Sequence, residues 1–363
     1  MTEADAMDHA LTLAWRGWGR VSPNPLVGAV VLRDGVPVGE GWHAEFAGPH
    51  AEVMALEAAG IAAPGATLVV TLMPCAHHGK QPPCTHAIIE AGVRRVVAAV
   101  VDPNPVAAGG ADVLRRAGIE VAVGLRAADA CRQTAAFRHQ FTAPRRPWVA
   151  LKLATSLDGA IADAGGRSRW VSGPAAHEYV QWLRAGFDAL AVGGATARVD
   201  DPALTVRGSV VPRMPPRRVV FDRGEGLPAT LQLVSTAREL RTIVLTTGDR
   251  KGANDLLSAA GVVVAKAGSL AAGLEWLREQ EGVLSVLVEG GGRLAGALLD
   301  AGLVDRLYWI QAPVWLGQGA VPAFAGLGAR TLDGAPRWSV VERRALGEDT
   351  LLVVDREPCS PDL

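Results

Sequence analysis

Apolar, strand-like runs alternate with segments of helical periodicity along almost the whole chain, and this order constrains the fold most. A strand–helix–strand succession leads to largely parallel sheets covered by helices. Residues 5–17 have helical periodicity that ends near Gly17, and Val27–Leu32 and Val36–Gly41 are β-leaning runs joined by Asp34-Gly35, a hairpin signal. A helix is expected over about 50–59, ending at Gly60, then a strand over Thr67–Leu72, a helix over about 84–91 and a strand over Arg95–Val101. A further helix and strand fall within 110–123, which completes a three-layer α/β/α domain with a hairpin at one end of its sheet. The alternation breaks once, at Phe141-Thr142-Ala143-Pro144-Arg145-Arg146-Pro147-Trp148, where two prolines stand close together. The expected domains are therefore 1–145 and 146–363. In the second, strands are expected over 148–154, 189–193, 218–222, 242–246, 262–265 and 285–289, and helices over 174–185, 269–279 and 293–301. Two late strands, about 305–312 and 350–355, are expected to form a C-terminal hairpin.

Composition narrows the class. The 363 residues suit two domains, and 49% hydrophobic content with a net charge of −1 excludes a disordered chain. So balanced a charge gives no electrostatic case for nucleic acid or an anionic membrane as partner. No apolar stretch approaches the roughly 18 residues of a spanning helix, and the acidic start, MTEADAMDHALTLAW, does not read as a signal peptide. Four cysteines are too few for a disulfide scaffold, so paired cysteines are read as metal or catalytic groups. The expectation is a cytoplasmic, homo-oligomeric protein acting on a small molecule. Only four of the 36 Lys+Arg residues are lysine: Lys80, Lys152, Lys251 and Lys266.

Six of eight histidines and two of four cysteines lie within the first 86 residues. His50-Ala51-Glu52 opens an expected helix; Pro74-Cys75 ends a strand, and Cys84 opens the next helix. Three N/S ligands with one open position is the arrangement of a catalytic zinc, which lowers the pKa of bound water towards 7 and supplies hydroxide. Glu52, not itself a ligand, can then shuttle the proton. The pattern is that of zinc nucleobase deaminases, H-x-E with a later P-C-x-x-C, except that eight residues separate the cysteines here. The competing reading is a structural zinc or buried thiols, with His77 and His78 as rival ligands. His50 and Glu52 can act together only if His50 sits at the helix entry, since i and i+2 diverge on a helix.

In the second half, Lys152-Leu153-Ala154-Thr155-Ser156-Leu157-Asp158-Gly159 ends a strand, and Ser168-Arg169-Trp170 follows. Then come Arg184, the segment Gly193-Gly194-Ala195-Thr196-Ala197-Arg198-Val199-Asp200-Asp201-Pro202-Ala203-Leu204-Thr205-Val206-Arg207, and Val288-Glu289-Gly290-Gly291-Gly292-Arg293-Leu294-Ala295-Gly296. Glycines between a strand and a helix let a phosphate approach backbone N–H groups at the helix start. A true Rossmann site is not expected, because the run comes late and no acid closes a following strand about 20 residues on.

Taken together, the string Ser22-Pro23-Asn24-Pro25-Leu26-Val27-Gly28-Ala29-Val30-Val31, Gly41-Trp42-His43, Pro49-His50-Ala51-Glu52-Val53 and Pro74-Cys75-Ala76-His77-His78-Gly79-Lys80-Gln81-Pro82-Pro83-Cys84 resembles the bifunctional riboflavin-biosynthesis deaminase–reductase family. The motifs of the second half resemble the same family, over roughly residues 5–355. The long spacing between the cysteines is a trait of that family. The resemblance implies a cytidine deaminase-like domain followed by a dihydrofolate reductase-like α/β domain. It implies zinc on His50, Cys75 and Cys84, Glu52 as general acid/base, and Asn24, His43, His77 and Lys80 on the substrate, with Lys80 suited to its phosphate. It implies NADPH as hydride donor, lined by Ala154, Trp170, Thr196, Asp200 and Gly291, Gly292, Arg293, Leu294, Ala295, Gly296 and Ala297. Ser168, Arg184, Leu204, Arg207 and Glu289 are implied to face the second substrate, with Arg184 and Arg207 as phosphate clamps. Lys152, Asp200 and Glu289 are the candidates for proton handling in the reductase. Two positions depart from the family pattern: Met73 stands where Glu is usual, and His86 where Asp is usual. The expected activity is zinc-dependent hydrolytic deamination of 2,5-diamino-6-(5-phosphoribosylamino)pyrimidin-4-one, then NADPH-dependent reduction of the ribosyl group to ribityl. The alternatives are a nucleic-acid or nucleoside zinc deaminase with an accessory domain, and a non-catalytic zinc-stabilised module.

Overall fold

The structure, a computed structural model of the chain, describes residues 1–79, 81–168, 171–248 and 251–357. It divides into two compact units, with the break between Thr142 and Ala143.

The first unit opens with α1 (Glu3–Ala14), started by a Thr2 and Asp5 capping box that contributes about 1 kcal/mol. Then come β1 (Gly28–Arg33), β2 (Val36–Trp42), α2 (Ala51–Ala59), β3 (Thr67–Leu72), α3 (Cys84–Glu90), β4 (Arg95–Val100), α4 (Gly110–Arg116), β5 (Glu120–Val123), α5 (Ala127–Gln133) and α6 (Ala135–Thr142). The sheet order is β2-β1-β3-β4-β5, with β1 antiparallel to β2 and β3, and β3, β4 and β5 parallel. Two glycines show that helices cover both faces. A Cβ on Gly28 would lie 2.0 Å from the Ala10 carbonyl of α1, and one on Gly41 would lie 2.4 Å from the Ala51 carbonyl of α2. Gly41 pairs with Ala29, the residue after Gly28, so the two glycines point to opposite faces. The sheet is thus the middle of three layers. Its central strand β3 is buried at all six positions, as its unbroken apolar run requires.

The second unit runs β6 (Trp148–Thr155), β7 (Ala160–Ala162), α7 (Pro174–Ala185), β8 (Ala189–Gly193), α8 (Gly194–Asp200), β9 (Arg217–Asp222), α9 (Gln232–Ser235), β10 (Thr242–Thr246), α10 (Lys251–Ala259), β11 (Val263–Lys266), α11 (Leu270–Glu281), β12 (Ser285–Glu289), α12 (Gly292–Asp300), β13 (Arg306–Gln311), β14 (Val321–Pro322), β15 (Ser339–Leu346) and β16 (Asp349–Asp355). Nine strands form one sheet in the order β11-β10-β9-β8-β12-β6-β13-β16-β15, parallel from β11 to β13 and antiparallel beyond. After β8 the chain builds outward through β9, β10 and β11, then returns to insert β12 between β8 and β6. That reversal creates a crevice at the strands' carboxyl ends, where open α/β sheets bind ligands.

The structure corrects the C-terminal hairpin. The strands near 306–311 and 349–355 do pair antiparallel, but the tight hairpin joins β15 to β16 across Gly347. β15 escapes the hydrophobic pattern because it is a half-exposed edge carrying Glu342, Arg343 and Arg344. Helices α5, α6, α8, α9 and α10 also lie outside the sequence expectation. Among the described residues no helix is long and apolar enough to cross a membrane.

Candidate active sites

In the first unit, the ends of three elements converge. His50 is the residue before α2, with extended backbone (φ −75°, ψ 157°), which places its ring beside the helix entry while Glu52 sits in the first turn. Cys75 follows β3, and Cys84 is the first residue of α3. His50 Nδ1 lies 3.1 Å from Cys84 Sγ and 3.7 Å from Cys75 Sγ, and the Cys84 N–H donates to Cys75 Sγ at 3.4 Å. All three ligand atoms fall within 4.8 Å of one another. The Cys84 thiol hydrogen-bonds Cys75 and draws it down to about 4, and the same pairing drives Cys84 well above its ordinary value. The lowered pKa of Cys75 favours the thiolate, the form that binds metal. An imidazole nitrogen and two sulfurs fit zinc. His77 and His78, the rival ligands, lie outside this cluster.

Glu52 is buried, and burial holds its carboxyl above the usual range while His50 opposes this. These groups line a cavity of about 250 Å³ with Asn24, His43 and His77. His43 is fixed as the neutral tautomer: burial lowers its pKa, its Nδ1–H donates to the Pro49 carbonyl (3.0 Å), and Nε2 accepts from Asn24 Nδ2 (3.0 Å). His77 Nδ1 is buried without a hydrogen-bond partner among the described residues. A polar ligand atom would relieve that cost. Lys80 lies outside the described residues. Met73 is a wall of the cavity, whereas His86 is exposed and pairs with Glu90 at 3.3 Å.

Asp102, Asn104 and Gln81 also line this cavity, and the sequence reading did not single them out. Burial pushes Asp102 up to about 6, opposed by the Asn104 backbone N–H that donates to its Oδ1 at 2.9 Å. The usable signal was positional: Asp102-Pro103-Asn104 comes one residue after the end of β4, and the loops after sheet strands build sites in such folds.

In the second unit, Lys152 and Glu289 are register partners on β6 and β12. Lys152 Nζ lies 3.3 Å from Glu289 Oε2. Arg184, from α7, grips the same carboxylate with Nε on Oε1 (2.5 Å) and Nη2 on Oε2 (2.9 Å), and its Nη1 donates to the Thr205 carbonyl (3.1 Å). Burial would raise the Glu289 pKa, but Arg184 and Lys152 outweigh it and hold the acid at about 2. The guanidinium expected to clamp phosphate is thus engaged by Glu289. Arg207 is exposed, its backbone N–H bound to Gln181 Oε1. Leu204, buried, has the left-handed φ of 46°, a strained position for a leucine that marks this loop as constrained. Ser168 Oγ lies 3.4 Å from Asp200 Oδ1.

A second cavity, about 290 Å³, opens at the carboxyl ends of the strands around the insertion of β12. Thr196, Gly291, Arg293, Leu294 and Ala297 line it. Gly292, Ala295 and Gly296 are buried in α12 beside it. Ala154 and Asp200 belong to β6 and to the end of α8 and do not line it, and Trp170 lies outside the described residues. Gly290 and Gly291 take φ of 68° and 79°, so only glycine turns the chain there without strain and leaves the α12 N–H groups open to a phosphate. The residues fit a dinucleotide.

Residues 1–100 match the family described as the cytidine and deoxycytidylate deaminase zinc-binding region, and residues 147–352 match the RibD C-terminal domain. The riboflavin biosynthesis protein RibD of Escherichia coli is 39% identical over 374 residues, covering 95% of this chain and 97% of that one. That of Aquifex aeolicus is 39% identical over 352 residues, covering 96% and 97%. The chain belongs to the RibD family. Among solved structures, Acinetobacter baumannii RibD superposes with a TM-score of 0.83 at 36% identity, covering 97% of this chain and 98% of that one. A Thermotoga maritima diaminohydroxyphosphoribosylaminopyrimidine deaminase/5-amino-6-(5-phosphoribosylamino)uracil reductase matches equally well, at 0.83 and 36%, covering 98% and 99%. The two units thus have a cytidine deaminase-like and a dihydrofolate reductase-like fold.

Proposed function

We propose that residues 1–145 deaminate 2,5-diamino-6-(5-phosphoribosylamino)pyrimidin-4-one and residues 146–363 then reduce its ribosyl group to ribityl. The chain is a bifunctional riboflavin-biosynthesis enzyme, a zinc-dependent deaminase and an NADPH-dependent reductase. The observation that carries the assignment of residues is the convergence of His50 Nδ1, Cys75 Sγ and Cys84 Sγ, with His50, Cys75 and buried Glu52 lining one cavity.

In the first site His50, Cys75 and Cys84 hold the zinc, which when bound makes a water acidic enough to react at neutral pH. Glu52 takes a proton from the attacking water and returns it to the departing amine. Its burial suits it to both roles, since a carboxyl held above its usual range is a stronger base towards the water proton and keeps that proton closer to neutral pH until the amine takes it. The neutral His43 orients the Asn24 amide, and the Nδ1 of His77 meets a polar atom of the substrate. Lys80 binds the substrate phosphate in this reading. Cys84→Ser is expected to lose bound zinc and ammonia release together while NADPH oxidation with the deaminated intermediate continues; metal analysis beside both assays checks it.

In the second site bound NADPH would supply the hydride for the ribose carbon that carries the amine. Thr196 and the segment from Gly291 to Ala297 bind it, with Ala154, Trp170 and Asp200 completing its site. The sugar oxygen released on reduction needs a proton. Glu289, held ionised, does not supply one at neutral pH. Lys152 is the donor, with Glu289 fixing its ammonium and Arg184 fixing Glu289. Asp200 handles protons at the other end, beside Ser168, and Leu204 and Arg207 shape the substrate side.

The protein acts in the cytoplasm on a small molecule, as a homo-oligomer and without nucleic acid; its balanced charge supports the last point. The decisive experiment is mass analysis of the diamino substrate after incubation with the purified protein. Exchange of an amine for an oxygen should appear without NADPH, and two further hydrogens only with it. Reduction of the unreacted diamino compound first would overturn the order.

A further inference from the structure

We propose that Gln181, on α7, is a positioning residue that holds Arg207 for the phosphate of the reductase substrate, and so sets the preference for a phosphorylated sugar without touching it. The proposal rests on the reading of Lys152 and Glu289 as the reacting end of that site.

The substrate has two ends. Its reacting carbon carries the amine, and its phosphate sits on the opposite side of the ribose, at the 5′ oxygen. Arg184 belongs to the first end, since two of its nitrogens bind Glu289 beside Lys152. Its Nη1 donates instead to the Thr205 carbonyl at 3.1 Å, so the loop after α8 passes along the edge of this ion network. Arg207 lies two residues further on, at most about 7 Å of chain from Thr205. It is exposed, and its guanidinium makes no ion pair or hydrogen bond among the described residues. A cation one loop away from the reacting end suits a phosphate at the far end of the sugar.

An exposed arginine is a weak ligand if its backbone must also be ordered on binding, because that ordering lowers affinity. Here the loop is held in advance. Asp201, with a left-handed φ of 41°, accepts from the Gln232 N–H at 2.8 Å, and its carbonyl accepts from Gln232 Nε2 at 2.8 Å. Leu204 is buried with a left-handed φ of 46°, a conformation that a leucine keeps only where its surroundings impose it. Two contacts from α7 fix the residues that follow: Arg184 on the Thr205 carbonyl, and Gln181 Oε1, which accepts the Arg207 N–H at 2.8 Å. Gln181 and Arg184 stand three residues apart on one face of α7. Gly208 completes the seat, since a Cβ there would lie 3.0 Å from Gln181 Cβ. Of the two α7 contacts, only Gln181 reaches the residue that carries the cation.

The test is steady-state reduction of the deaminated intermediate and of its dephosphorylated form. It uses the full chain and the variants Gln181→Met, Gln181→Ala, Arg207→Ala and the double variant Gln181→Met with Arg207→Ala. Gln181→Met keeps the side-chain length and removes the acceptor. It should raise KM for the phosphorylated intermediate roughly ten-fold, about what one such hydrogen bond contributes, with kcat and KM for NADPH kept. Gln181→Ala should do the same. For the dephosphorylated form kcat/KM should not change in either variant, and Gln181→Met should add nothing once Arg207 is alanine. An unchanged KM in Gln181→Met, an equal loss with the dephosphorylated form, or additive losses in the double variant overturns the proposal. If Arg207→Ala discriminates between the two substrates as the unaltered chain does, the phosphate does not bind at this loop and the role of Gln181 falls with it. Absence of any reduction by the unaltered chain would instead remove the reading on which the proposal rests.

Discussion

Replacing Glu52 by glutamine is expected to cut ammonia release by roughly 10²–10⁴-fold, the range that a lost general acid–base group accounts for. The substitution keeps the volume of a buried side chain in the first turn of α2 and removes only its ability to carry a proton. Glu52 is not one of the three clustered ligand atoms, so zinc content should be unchanged. NADPH-dependent reduction of the deaminated intermediate should continue at its normal rate, because Lys152 and Glu289 belong to the other unit. The measurements are ammonia release, metal content and NADPH oxidation on the same preparation. Loss of both activities in a folded, zinc-loaded variant would contradict two independent sites. Unaltered deamination would remove Glu52 from the chemistry and leave a zinc-stabilised module as the better reading of this cluster.

Glu289→Gln should have the opposite selectivity and a structural cost as well. It leaves Lys152 and Arg184 facing a neutral amide in a nearly dry site, and removing one partner of a buried ion pair costs about 3–5 kcal/mol. For a unit of this size the melting temperature should drop on the order of 10 °C. Reduction should slow by at least about 10²-fold, since the proposed proton donor loses the group that positions it, while ammonia release from the first unit persists. The pH dependence has a definite sign. Glu289 titrates at about 2 in the folded chain against an ordinary 4.5, so its stabilisation is complete above pH 4.5 and disappears as pH falls towards 2. The shift corresponds to about 3 kcal/mol at roughly 1.4 kcal/mol per unit. The stability gap between wild type and variant should therefore close across that window. A gap that stays constant from pH 5 to pH 2 would show that Glu289 is not the anion holding Lys152 and Arg184.

Much of the zinc-site pattern was legible because its geometry is local. His50 at a helix entry, Glu52 in the first turn, and Cys75 and Cys84 at a strand end and a helix start are all positions that periodicity and end signals reveal. The condition that His50 precede the helix is met by its extended backbone. The glycine run after β12 was legible for the same reason. Asp102 was not, since nothing in a two-proline turn says which cavity it faces. Nor was Arg184: a lone arginine on an amphipathic helix reads as a surface charge or a phosphate ligand until its partner, 105 residues away in sequence, is brought to 2.5 Å. Two of the four lysines, Lys80 and Lys152, fall within the two motif clusters; Lys152 Nζ lies 3.3 Å from Glu289, and Lys80 is outside the described residues.

Sequence by itself determined most of the succession of strands and helices around the two sites, the grouping of His50, Cys75 and Cys84, and the family to which the motifs belong. Those properties depend on neighbours within a few residues, where backbone periodicity and end chemistry leave a record. Tertiary structure alone decided that β12 inserts between β8 and β6 and opens the second cavity. It alone decided that Glu289 is shared by Lys152 and Arg184, and that Arg198 reaches Asp222 at the end of β9. Which charges meet depends on strand order, and strand order is set by how whole faces pack across the sheet. A single chain read in sequence leaves no local trace of that choice.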